Sequence, residues 1–234
     1  MSITIVNGQI YTPGLAIVDA PQPYTPLGGD TLQIAIDVSG NGQLSLTPSE
    51  DSPTLFHELT LFLTSTEKEK NLTISNGTST SNNSTAYIGP VLDLEPSSTV
   101  KHVNWIWPEC FVGEGDDSDD DDSARGNYNI SMHQSFRLNG TDYYTVFDLP
   151  ISVSNGIEER EDGGRVECAV LENAYQPAVV AASNGSLPEQ PWVGDSGQVV
   201  VYNQDDDNGA EGVRRGMFGV MRWVVVGLVM GMVL

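Results

Sequence analysis

Apolar and polar residues alternate with a period of two along most of the chain up to about residue 155. Thr31–Val38 puts Leu32, Ile34, Ile36 and Val38 on one face. Tyr128–Leu138 does the same through Tyr128, Ile130, Met132, Phe136 and Leu138, and Phe147, Leu149, Ile151 and Val153 share a face just after it. Val103, Trp105 and Trp107 line up in Val100–Trp107 and are expected to face a core. Such alternation predicts half-buried antiparallel strands. Gly28-Gly29 and Gly40-Asn41-Gly42 punctuate them. Asn139-Gly140, flanked by alternating segments, is a strong hairpin signal, so Tyr128–Leu138 and Thr141–Val153 should pair. Further strands are expected near Leu15–Asp19, Phe56–Thr64, Leu72–Ser75 and Tyr87–Leu94. Many short strands without an amphipathic helix predict an all-β fold, a single antiparallel β-sandwich over residues 1–155. The proline-rich Ala20–Pro26 suits an edge segment that resists templating aggregation.

After Val153 the alternation stops. Residues 156–216 are acidic and carry Pro177, Pro188 and Pro191, which reads as a disordered, flexible stalk. Residues 217–234 end in the uncharged run Trp223–Leu234 and predict a hydrophobic C-terminal helix. The small residues Asn208-Gly209-Ala210, a spacer and a terminal apolar run are the parts of a glycosylphosphatidylinositol (GPI) signal, with attachment at Asn208 or Gly209. A retained transmembrane helix is the alternative. Arg214, Arg215 and Arg222 would then favour a cytosolic domain. Met1–Gly8 lacks a basic, apolar leader, so a secretory signal is expected upstream of this start.

Charge and sequons sharpen the compartment. The net charge is −22, from 32 acidic against 10 basic residues, which argues against a nucleic-acid partner. Seven of 15 asparagines satisfy the N-glycosylation rule: Asn71, Asn76, Asn82, Asn83, Asn129, Asn139 and Asn184. That exceeds what 37 Ser and Thr in 234 residues give by chance. Asn129, Asn139 and Asn184 are the most telling, because they lie outside the Ser/Thr/Asn-rich Asn71–Thr85 stretch. Cys110 and Cys168 are an even pair that suggests one disulfide, tying the start of the stalk to the sandwich.

Motifs for chemistry are sparse. Gly194-Asp195-Ser196-Gly197 matches a serine-protease tetrapeptide but sits in the stalk, without the setting such a nucleophile needs. His57, His102 and His133 come from different strands and are expected to be exposed, so no metal site or other cofactor is predicted. The Asp116–Asp122 run lacks the glycine and glutamate spacing of a calcium loop and reads as solvated. Glu50, Asp51, Glu67, Glu69, Asp93 and Glu95 contain no identifiable glycosidase pair. No catalytic residue is expected.

Several segments nevertheless resemble a known type. The Gly28–Val38 entry, the Trp-rich strand ending at Cys110, Gly126-Asn-Tyr-Asn-Ile-Ser131, Tyr11–Pro23 and Arg137–Tyr144 are similar to an uncharacterised ascomycete family of small secreted, GPI-anchored-like surface proteins. The architecture also resembles the immunoglobulin-like sandwich of fungal wall proteins linked to β-1,6-glucan assembly. The resemblance implies a non-enzymatic, glycosylated protein with a structural or adhesive role at the plasma membrane outer leaflet or cell wall. It would be held to the membrane by its C-terminal anchor and touch wall polysaccharide or surface proteins. A carbohydrate-binding accessory module or glycan-active enzyme is the alternative, and a tail-anchored membrane adaptor the second.

Overall fold

The computed structural model describes residues 2–77, 86–114, 123–160, 164–173 and 199–203. They form two sheets. One has the order β11-β1-β2-β3-β5-β8, from β1 (Ser2–Val6), β2 (Gln9–Tyr11), β3 (Ile17–Ala20), β5 (Thr31–Asp37), β8 (Val100–Ile106) and β11 (Val199–Asn203). The other is β4-β10-β9-β6-β7, from β4 (Pro26–Leu27), β6 (Leu55–Ser65), β7 (Lys70–Ser75), β9 (Gly126–Leu138) and β10 (Thr141–Val153). Seven of the strands follow the order of an immunoglobulin sandwich, and β2, β1 and β11 extend the first sheet beyond β3. β3-β5-β8 take the places of strands A, B and E, and β10-β9-β6-β7 those of G, F, C and C′.

The expected alternation builds the core. Leu32, Ile34 and Ile36 from β5 and Val103 and Trp105 from β8 belong to one buried cluster. Leu61, Leu63, Ile130, Met132, Phe147 and Leu149 meet them from the second sheet. Trp107 is also sealed; its ring lies 5.9 Å from Trp105 and 5.5 Å from Phe111. The β9–β10 hairpin runs in unbroken register from Leu138↔Thr141 to Gly126↔Val153. It turns on Asn139 (φ 51°) and Gly140 (φ 81°), backbone values that Asn and Gly tolerate best.

Several details differ from expectation. β4 pairs parallel with β10, so the sandwich is not wholly antiparallel. Tyr87–Leu94 is not a strand: it makes a single bridge, Ile88 to Ser75, and then a 3-10 turn at Val91–Asp93. Pro90 precedes that turn and has no N–H to give a ladder. Ser2–Val6 and Gln9–Tyr11 form a hairpin on Asn7 (φ 53°) and Gly8 (φ 85°), which adds two strands at the start of the chain.

The described residues past 155, those of β11 included, also belong to the compact unit. Gly113 and Ile157 exchange backbone hydrogen bonds of 2.9 and 2.8 Å. The Arg165 side chain, 2% exposed, donates to the carbonyls of Asp30 and Trp107. Cys168–Leu171 forms one short helix, α1, whose Leu171 enters the core. These contacts hold Ile157, Arg165 and Leu171 against the sandwich. The expected remainder of the stalk, residues 174–198, and the C-terminal segment 204–234 lie outside the described residues. Among the described residues no helix is long and apolar enough to cross a membrane.

Candidate functional site

The two cysteines are joined. Cys110, in a 3-10 turn after β8, and Cys168, at the start of α1, have Cα atoms 6.0 Å apart and form a disulfide. That spacing is ordinary for the bond.

A groove of ≈ 300 Å³ lies on the outward side of the β10-β9-β6-β7 sheet. It is lined by Glu58, Thr60 and Phe62 of β6, Thr73 of β7, His133 and Ser135 of β9, Tyr144 of β10, and by Asn76 and Asn173. The strand period explains the set. Leu59, Leu61 and Leu63 point to the core, so Glu58, Thr60 and Phe62 point away from it. Register then aligns Thr60 with His133 and Glu58 with Ser135. Asn173 is placed there because Glu172 bridges Leu72 and the Asn173 N–H donates to the Asn71 carbonyl at 2.8 Å.

His133 sits at the floor of this groove. The sequence expectation placed it on an exposed face; it is 2% exposed. The face is sealed there because Phe62 packs edge-on against the imidazole at 5.0 Å and Tyr144 stands at 6.0 Å on the other side. Ser131 Oγ lies 3.2 Å from Nε2, and the Tyr144 hydroxyl lies 2.7 Å from Nδ1. A neutral imidazole has one donor and one acceptor nitrogen, so this chain of groups suits the uncharged ring. Burial pushes the His133 pKa down, and the nearby Asp148 charge opposes this. Ser131 is fully buried, which leaves its hydroxyl a structural partner of the ring.

The other histidines do not converge with it. His57 is the extra residue of a bulge in β6 and pairs with Asp142 at 3.0 Å. Hydrogen bonds from His57 and Arg137 hold the Asp142 carboxyl below its usual range. His102 is exposed, and its backbone N–H and ring both reach Glu95 Oε2. Those two hydrogen bonds lower the Glu95 pKa. Among the described residues no group of three His, Cys, Asp or Glu could hold a metal ion. None of Glu50, Asp51, Glu67, Glu69, Asp93 and Glu95 lines the groove; Glu58 is its one carboxylate among the described residues.

The sequon residues occupy different settings. Asn139 is exposed at the hairpin tip, and Asn129 is half-buried within β9 between Thr64 and Pro150. Asn71 lies in β7 with its side-chain oxygen sealed from solvent. Asn76 follows β7 and reaches the groove. Asn82, Asn83, Asn184, Asn208, Gly209, the Gly194–Gly197 tetrapeptide and the Asp116–Asp122 run lie outside the described residues.

Sequence reasoning missed Glu58, Thr60, Phe62, Ser135 and Tyr144 as neighbours. One signal was legible: Leu61-Phe62-Leu63 is apolar on both sides of the strand, which half-buried alternation does not require. Comparison with protein-family models, with curated proteins and with solved structures found no match.

Proposed function

We propose that this chain is a non-enzymatic, glycosylated surface protein with a structural or adhesive role, of the kind fungi display at the membrane or wall. The observation that carries the reading is the Cys110–Cys168 disulfide. Disulfides form and persist in oxidising compartments. This one ties residues past the sandwich back to it, which suits a domain held on a stalk. The seven sequons and the apolar C-terminal run agree with the same route.

The groove favours binding over hydrolysis. Glycoside hydrolysis uses two carboxyl groups about 5–10 Å apart. The described lining offers Glu58 with amides, hydroxyls and three aromatic rings, a set that suits recognition of a polar, ring-shaped ligand such as a saccharide.

The test is to express the full gene in a filamentous fungus and treat intact cells with phosphatidylinositol-specific phospholipase C. Release of a product that peptide-N-glycosidase shortens by several sugar chains is the expected result. A cell-retained, unglycosylated product of unchanged mass would overturn the reading.

A further inference from the structure

We propose that the outward groove is the seat of this chain's own carbohydrate: the innermost sugar of a glycan on Asn76 packs into it. The inference rests on the surface-glycoprotein reading and names the ligand of the groove.

Asn76 is a sequon asparagine, Asn76-Gly77-Thr78, and it lines the groove. The position is built rather than incidental. Gly77 has φ +77°, and a Cβ there would fall 2.0 Å from Glu58 Oε1 and 3.1 Å from Thr60 Cγ2. Glycine suits this positive φ, and a side chain there would have to displace the Glu58 carboxylate and press on Thr60, both of which line the groove. The turn that carries Asn76 therefore lies close against the Glu58 and Thr60 wall of the groove.

The lining matches a pyranose carrying an acetamido group. Sugar C–H faces lie against aromatic rings, and the half-buried Tyr144 offers one, held in place by the buried His133. Sugar hydroxyls and the acetamide need donors and acceptors, which Glu58, Thr60, Thr73, Ser135 and Asn173 provide. The volume is at the small end of ligand sites, roughly 300–1,000 Å³, which suits one sugar unit rather than a long chain. Attachment follows ordinary N-glycosylation. The Asn76 Nδ2 forms a bond to the anomeric carbon of a lipid-linked oligosaccharide, the lipid diphosphate leaves with the bonding pair, and the amide gives up one proton.

A sugar seated in a groove is shielded from enzymes, whereas one on the exposed tip at Asn139 is not. The full chain is secreted from a eukaryotic host making high-mannose glycans. Site occupancy is measured by glycopeptide mass spectrometry, and native protein is trimmed over time with an endoglycosidase that cuts between the two core sugars. Asn76 should be occupied and trimmed about tenfold more slowly than Asn139, the factor that about 1.4 kcal/mol of seating provides. Denaturation should erase the difference. Glu58→Gln, a conservative change at an exposed position, should reduce it, and Tyr144→Ala should reduce it further. Equal trimming rates in the native protein, or an empty Asn76 beside an occupied Asn139, would overturn the seating while leaving the surface reading intact. Absence of glycan at every site would overturn both. Binding of free N-acetylglucosamine to the protein glycosylated at Asn76, at the same groove, would also overturn it, because the groove would then serve an outside sugar.

Discussion

The inward and outward faces of the β10-β9-β6 ribbon are both closed to water around His133, but by different chemistry. Inward, Leu61, Met132 and Phe147 pack as plain hydrocarbon against the opposite sheet. Outward, Phe62 and Tyr144 flank an imidazole whose two nitrogens face Ser131 and Tyr144 oxygens. A few residues along the same outward face, His57, Arg137 and Asp142 form ion pairs at the surface. The difference teaches that burial on a sheet face is decided row by row. The inward face loses stability through cavities, whereas the outward face loses it through unmet polar groups.

Substitutions can break this comparison in graded steps. Phe136→Ala empties a fully buried inward site and should cost about 3–5 kcal/mol in urea denaturation. His133→Ala should cost about 2–3 kcal/mol, since it removes the aromatic packing and strands the partners of the ring. A negligible cost there would mean that the outward row is open to solvent. Tyr144→Phe keeps the ring and deletes the hydroxyl beside Nδ1, for about 1–2 kcal/mol.

Acidity separates the faces without mutation. The buried His133 ring has a pKa below its unfolded value of about 6.5. The unfolded chain therefore binds the proton more readily, and stability must fall as pH drops below about 6.5 toward the folded value. Comparing wild type with His133→Phe between pH 7.5 and 5 should show this component disappear in the variant. The smallest effect belongs to His57→Ala, whose exposed pair with Asp142 should leave the denaturation midpoint where it was.

The inward pattern was legible from residue order alone. Leu32-Ile34-Ile36 and Ile130-Met132 alternate with small or polar neighbours, and period two then fixes the face. The Asn139-Gly140 turn followed from its local chemistry, and Asn7-Gly8 carries the same signal near a strand too short to register as one. The groove was not legible, because it depends on register between β6, β9 and β10 and on a bulge at His57 that shifts Glu58 opposite Ser135. Polar letters such as Ser131 and His133 read as solvated until an aromatic from the next strand covers them. Past Val153 the Cys168 attachment was legible from the even cysteine pair, whereas those of Arg165 and Leu171 were not, because each is a single group rather than a repeating pattern.

The bond between Cys110 and Cys168 spans the whole β9–β10 hairpin. Any single backbone cut between those cysteines leaves one of them on each piece. A protease that clips an exposed loop in this interval would thus produce a chain that is severed yet undivided. It would migrate as one band without reductant and as two with it.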